Sequence, residues 1–148
     1  MRRTMMIERP VDDTPITVSL ALLSLRIGLG VVFMFHGAQK LFSWFGGQGL
    51  AGMIEGFGPV LAYLIGIGEF FGGLGLLVGI LTRFSAASLI VIMMGAIVLV
   101  HAKNGFPAPK GFEYPFTLVM MLIPLLLCGP GKLAISAMLP PSLRRWVG

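Results

Sequence analysis

PVLAYLIGIGEFFGGLGLLVGILTRFSAASLIVIMMGAIVLVH, residues 59–101, decides the fold. Apart from Glu69 and the Thr82-Arg83 pair it is almost unbrokenly apolar. It is about twice as long as the roughly 20 residues a helix needs to cross a bilayer. Thr82-Arg83 leaves room only for a tight connection, so two antiparallel spans in contact are expected, at about 59–81 and 84–101.

Working outward, residues 19–42 form another apolar run, preceded by the helix-starting residues Asp13, Thr14 and Pro15. A fourth run, 112–128, is closed by Gly129-Pro130-Gly131. Between the first two runs lies SWFGGQGLAGMIEGFG, residues 43–58, too polar to span and too apolar to float in water. Its Trp44, Phe45 and Phe57 suit the membrane interface. Residues 102–112 read as a Gly/Pro loop, and Leu133 to Leu139 as an apolar tail in the interface. The expected fold class is all-α: a polytopic membrane protein with an antiparallel four-helix bundle over 19–139. Short tails, 1–18 and 140–148, flank it.

Composition agrees. Of 148 residues 56% are hydrophobic and 11% charged, with mean hydropathy +0.92; a soluble domain carries about a quarter charged residues. The net charge of +5 is scattered over loops and ends, without the basic stripe that nucleic acid requires. Cys128 stands alone, so an intramolecular disulfide and a CxxC thiol exchange are both excluded. Any redox work needs a bound cofactor, a partner or another chain. The polar first 17 residues lead into a run with no small-residue cleavage site, which is expected to stay as a helix.

Four spans put both termini on one side, with Arg2, Arg3, Arg9, Arg83, Lys132, Arg144 and Arg145; Lys40, Lys103 and Lys110 fall on the other. The positive-inside rule makes the first side cytoplasmic. In a bacterium this is a multi-pass inner-membrane protein whose 43–58 and 102–112 loops face the periplasm.

Glycines crowd the spans. Gly68, Gly72 and Gly75 share one side of the second helix, and Gly30 and Gly37 one side of the first. In lipid, small residues let helix backbones approach closely, so packing is the expected role. The ten methionines, with their Met93-Met94 and Met120-Met121 pairs, read as core filler rather than a copper site. An axial haem pair from His36 and His101 is considered and not favoured. No metal site is expected.

Ionisable groups at membrane depth are costly, roughly 2.5 to 3.5 kcal/mol on insertion scales, and each needs a reason. Glu69 lies near the middle of the second span, His36 near the outer end of the first, and Arg26 toward its cytoplasmic half. Arg26, Phe33 and Lys40 recur at intervals of seven, on one stripe with Gly30 and Gly37. If that stripe faces the second helix, Arg26 pairs with Glu69, and His36 lies above the carboxylate. Two readings stay open: a structural ion pair that fixes register, or a proton-handling or ligand site. A faint echo, His36/Lys40 with Glu69 against His101/Lys103 with Glu113, hints at two related hairpins.

RIGLGVVFMFHGAQKLF (26–42), EFFGGLGLLVGILTR (69–83) and Gly129-Pro130-Gly131 together resemble the DoxX family of membrane proteins. Many DoxX proteins follow Gly-Pro-Gly with an aromatic residue, Ser and Asp; here the run is KLAIS, so no role of that Asp carries over. The resemblance implies a four-helix membrane fold and redox work, since related DoxD-type subunits belong to thiosulfate:quinone oxidoreductases. The leading expectation is a membrane subunit of a quinone-linked thiosulfate or thiol oxidoreductase system. Glu69 and His36 are the expected catalytic residues, and Arg26, Lys40 and His101 the expected substrate-binding residues. Quinone is the one cofactor retained; the expected partners are the bilayer, a membrane or periplasmic redox protein, and a second copy of the chain. A non-catalytic scaffold or assembly factor for a stress-response complex, and an oligomeric small-solute transporter, are the alternatives.

Overall fold

A computed structural model of the protein describes residues 14–140, 142, 143 and 147. Among them there is no strand. Helix α1 runs Ile16–Phe42, α2 Gly49–Phe57, α3 Pro59–Val78, α4 Thr82–Ala96 and α5 Glu113–Cys128. A wider π turn, Ile97–His101, and a 3-10 turn, Ala102–Asn104, continue α4. Three helical stretches are long and apolar enough to cross a membrane: Ile16–Phe42, Pro59–Val78 and Thr82–Asn104. The fourth, α5, has 16 residues, a rise of about 24 Å, so it falls short of that length.

The helix ends follow local chemistry. Pro59 occupies the first turn of α3, where its missing N–H costs nothing. Gly79, with φ of 72°, ends α3 and donates its N–H to Gly75 O at 2.9 Å. The connection expected at Thr82-Arg83 is thereby displaced: the chain turns over Gly79, Ile80 and Leu81, and Thr82 already belongs to α4. The 43–58 stretch contributes the short helix α2, whose Met53 is buried against the bundle. The arginines at positions 2, 3, 9, 144 and 145, which weigh in the charge asymmetry, lie outside the described residues.

The core is a single apolar cluster that includes Leu29, Phe33, Leu76, Leu89, Leu122 and Leu125. Large apolar side chains also cover the outside, among them Val31, Leu64, Phe71, Phe84, Val91 and Leu127. A surface apolar on all sides is one made for lipid.

Glycine sets how closely the helices pack. A Cβ on Gly37 would stand 2.4 Å from Phe70 N, and one on Gly73 would stand 2.7 Å from Met34 N. Backbone therefore meets backbone between α1 and α3. Gly68, Gly72 and Gly75 face α4 instead, against Ile92, Leu89 and Ser85. As expected, each set lies on one side of its helix, and α3 uses different glycines for its two neighbours.

Residues 129–139 fold beneath the α3–α4 turn. Ser136 N donates to Gly79 O at 3.3 Å, and Lys132 N to Ser19 Oγ at 3.3 Å. Ser19 and Ser136 are fully buried there.

Candidate functional site

The stripe on α1 does face α3, but the register differs from the expected one. Lys40 Nζ pairs with Glu69 Oε2; Gly37 lies on Phe70, Gly30 on Gly73, and Arg26 at the last turn of α3. Arg26 therefore sits seven to eight residues from Glu69 along α3, an axial distance of about 11 Å. No arginine side chain covers that span while staying bonded where Arg26 is.

Arg26 is 2% exposed and, among the described residues, is bonded to carbonyls alone. Its Nε donates to Leu76 O at 2.8 Å and Nη2 to Leu77 O at 3.0 Å. Its Nη1 donates to Pro130 O at 3.0 Å and Leu133 O at 2.8 Å. Leu76 and Leu77 belong to the final turn of α3, whose carbonyls have no partner within the helix. The guanidinium thus caps α3 and ties down the chain after α5. Arg83 repeats the device on α5, donating to Leu127 O at 3.3 Å. Positive charge at a helix C-terminus also suits the dipole. Arg26, expected to bind substrate, is not among the residues that line the cavity described next.

That cavity, about 620 Å³, lies among α1, α3, α4 and α5, toward the end of the bundle where α1 finishes and α3 begins. Helix α2 covers it through Met53 and Phe57, with Gln48 just before it. Its wall is mostly apolar, with Phe33, Leu61, Leu64, Met93, Leu99 and Leu118 among the lining. Six polar side chains interrupt it: His36, Lys40, Gln48, Glu69, His101 and Tyr114. Four of the five expected site residues, Glu69, His36, Lys40 and His101, thus meet in one cavity, and Arg26 does not.

Glu69 is the deep member, 3% exposed. Lys40 reaches it from the last turn of α1 and is partly open. His36 Nδ1 is 3.1 Å from Gln39 Oε1, and Gln39 Nε2 is 3.5 Å from Phe45 O. With Nδ1 donating to Gln39, Nε2 of the His36 ring has no hydrogen-bond partner among the described residues. His101 Nδ1 donates to Lys110 O at 2.9 Å, which fixes its proton on Nδ1 likewise. The π turn that carries His101 widens the helix where it borders the cavity, a distortion common at functional sites.

Tyr114 and Gln48 are the residues sequence reasoning missed. The Tyr114 ring meets the His36 ring edge-on, with centroids 6.3 Å apart. Its only signal is its place beside Glu113 at the start of α5. Glu113 itself accepts from Ala108 N at 2.9 Å and is not in the cavity wall. The hairpin echo therefore brings the two histidines together but not the two acids.

The fold and the cavity define a class: a helical membrane protein with a small set of ionisable side chains gathered in an apolar cavity. The DoxX family model matches residues 21–102, and the chain belongs to the DoxX family. It is similar to a Bacillus subtilis protein named "Putative oxidoreductase CatD", 32% identical over 119 residues, 77% of this chain and 83% of that protein. It is also similar to "Uncharacterized membrane protein Rv3486" of Mycobacterium tuberculosis, 31% identical over 131 residues, 78% of this chain and 79% of that protein. An uncharacterized Haemophilus influenzae protein is 35% identical over 65 residues, 43% of each chain. No solved structure matches the chain significantly.

Proposed function

We propose that this protein is the membrane subunit of a quinone-linked oxidoreductase system, a four-span bacterial inner-membrane protein with both termini cytoplasmic. The observation that carries the reading is the convergence of Lys40, Glu69, His36, His101 and Tyr114 on one largely apolar cavity. A cavity of about 620 Å³ is within the common range for small-molecule sites, roughly 300 to 1,000 Å³. An apolar wall with a few polar groups fits a flat ring that carries carbonyls on opposite edges. The printed name of the Bacillus relative supports redox work in general.

When bound, a quinone would supply two-electron, two-proton chemistry, with electrons delivered by a thiol- or thiosulfate-oxidising partner. The residues divide the rest. The Lys40–Glu69 pair offers an ammonium donor and a carboxylate acceptor in the cavity wall. His36 Nε2 would accept from a hydroxyl of the bound ring while Nδ1 stays on Gln39. Tyr114 and His101 border the cavity nearer the loop at 102–112. The charge asymmetry of the sequence puts that end at the periplasm. The fourth span, α5, would cross with Phe112 and the Gly129-Pro130-Gly131 segment at its ends.

Quinone content after gentle purification, compared between wild type and Glu69→Gln, tests the reading. Near-stoichiometric quinone in the wild type and its loss in the variant are expected. Background amounts in both would sink it and leave the polar cluster as a register device.

A further inference from the structure

Along α3 and α4 the glycine contacts stop at Gly68, which lies against Ile92. Beyond that point, toward the outer ends, the cavity lies between the two helices, lined by Leu61, Leu64 and Ile65 on one side and Gly95, Ala96 and Leu99 on the other. The rim side chains face outward as well as inward: Leu64 is 62% exposed, Val91 70% and Leu99 65%. A Cβ on Gly95 would meet nothing within 4 Å. The gap thus continues from the buried Lys40–Glu69 pair to an apolar outer surface, the part of the molecule that lipid covers. Water is a poor source for anything that must pass such a rim, whereas a chain already dissolved in the bilayer passes it without leaving apolar surroundings.

We propose that the cavity takes its occupant sideways from the bilayer, through the gap between the outer halves of α3 and α4. The occupant is an amphiphile, with a polar head at the Lys40–Glu69 pair and a long apolar chain lying out over Leu64, Val91 and Leu99. Only the identity of the head rests on the quinone reading; the route and the chain rest on the rim. An isoprenoid quinone and an acyl lipid share this chemistry, and the test separates them.

Phe33 lines the cavity and is 1% exposed, so a reporter there meets lipid chains only if they come in through the gap. In a Trp44→Phe, Trp146→Phe background, Phe33→Trp is reconstituted into phosphatidylcholine vesicles with and without brominated acyl chains. Loss of emission in the brominated vesicles is expected. Gly95→Phe, which fills the open space at the rim, should restore it. Met93→Trp, also in the cavity wall, serves as the reporter if Phe33→Trp does not fold. Equal emission in both vesicles would overturn the sideways route, whatever becomes of the quinone reading. In unbrominated vesicles added isoprenoid quinone, itself a quencher of indole emission, should quench Phe33→Trp and should fail to do so once Gly95→Phe fills the rim; in brominated vesicles a saturated fatty acid should not relieve the quenching. Relief by the fatty acid with no quenching by the quinone would keep the route, assign the cavity to an acyl lipid and overturn the quinone reading.

Discussion

Lys40 on α1 and Glu69 on α3 form an ion pair, while Arg26, two heptads before Lys40 on the same stripe, bonds only to backbone carbonyls among the described residues. The two cations have separate work. One faces a carboxylate in a cavity, and the other closes the C-terminal end of α3 and holds the chain after α5. Breaking a buried pair by removing one partner costs more than removing both, because the survivor is left charged and unpaired. Lys40→Met is therefore expected to destabilise the protein by about 3 kcal/mol. The double variant Lys40→Met, Glu69→Gln should recover most of that loss. Thermal unfolding of the four members of the cycle in one detergent measures the coupling; additive losses would mean that the pair contributes nothing.

Arg26 offers a second test. Arg26→Ala strips four carbonyls of their donor, and hydrogen bonds to charged groups are worth about 1.5 to 3 kcal/mol each before losses overlap. A total near 3 kcal/mol is expected, since deletions within one network do not add. Arg26→Lys should lose nearly as much, because an ammonium cannot reach both the end of α3 and the Pro130–Leu133 segment with a planar fork. Arg83→Ala removes one longer, exposed bond and should cost under about 1 kcal/mol. A circular-dichroism melt of the three variants orders them; equal losses for Arg26→Ala and Arg83→Ala would refute the capping role.

The difference between the expected and observed partners of Glu69 shows what a single sequence holds. Spacing alone revealed the stripe: Arg26, Gly30, Phe33 and Gly37 are all buried, because a seven-residue repeat stays on one helix face. Spacing does not say how far one helix slides along another. That distance is fixed by the contacts of Gly37 with Phe70 and Gly30 with Gly73, which are properties of the pair. The cavity was half legible for a similar reason. His36 and Glu69 stood out as ionisable groups in apolar runs, whereas Tyr114 and Gln48 sit at helix starts among ordinary polar residues and matter only because α2 and α5 bring them to the wall.

The glycine contacts make the register itself testable. Gly37→Ala would drive a methyl group into the backbone of Phe70, and overpacking of this kind costs about 1 to 3 kcal/mol. Gly28, on the same helix, has nothing within 4 Å of an added Cβ. Gly28→Ala should be neutral or should stabilise by up to about 1 kcal/mol, the helix-propensity gain. Comparing the two melting points distinguishes close helix approach from a general need for flexibility, which both substitutions would reduce alike.

Tyr114 gives the most direct test of the cavity as a binding site, because the predicted effect is on a ligand and not on folding. Its ring borders the cavity and touches His36 edge-on, while nearly half of its surface stays open. Removing the hydroxyl therefore leaves the packing of the ring intact. Tyr114→Phe is expected to keep the wild-type melting point. If the phenol hydrogen-bonds the head of the occupant, the variant should bind quinone about tenfold more weakly, the equivalent of about 1.4 kcal/mol. Tyr63, exposed on α3 and absent from the cavity wall, provides the comparison: Tyr63→Phe should change neither quantity. Titration of both variants with a tailed quinone in the same vesicles decides the matter, and equal affinities would take Tyr114 out of the site.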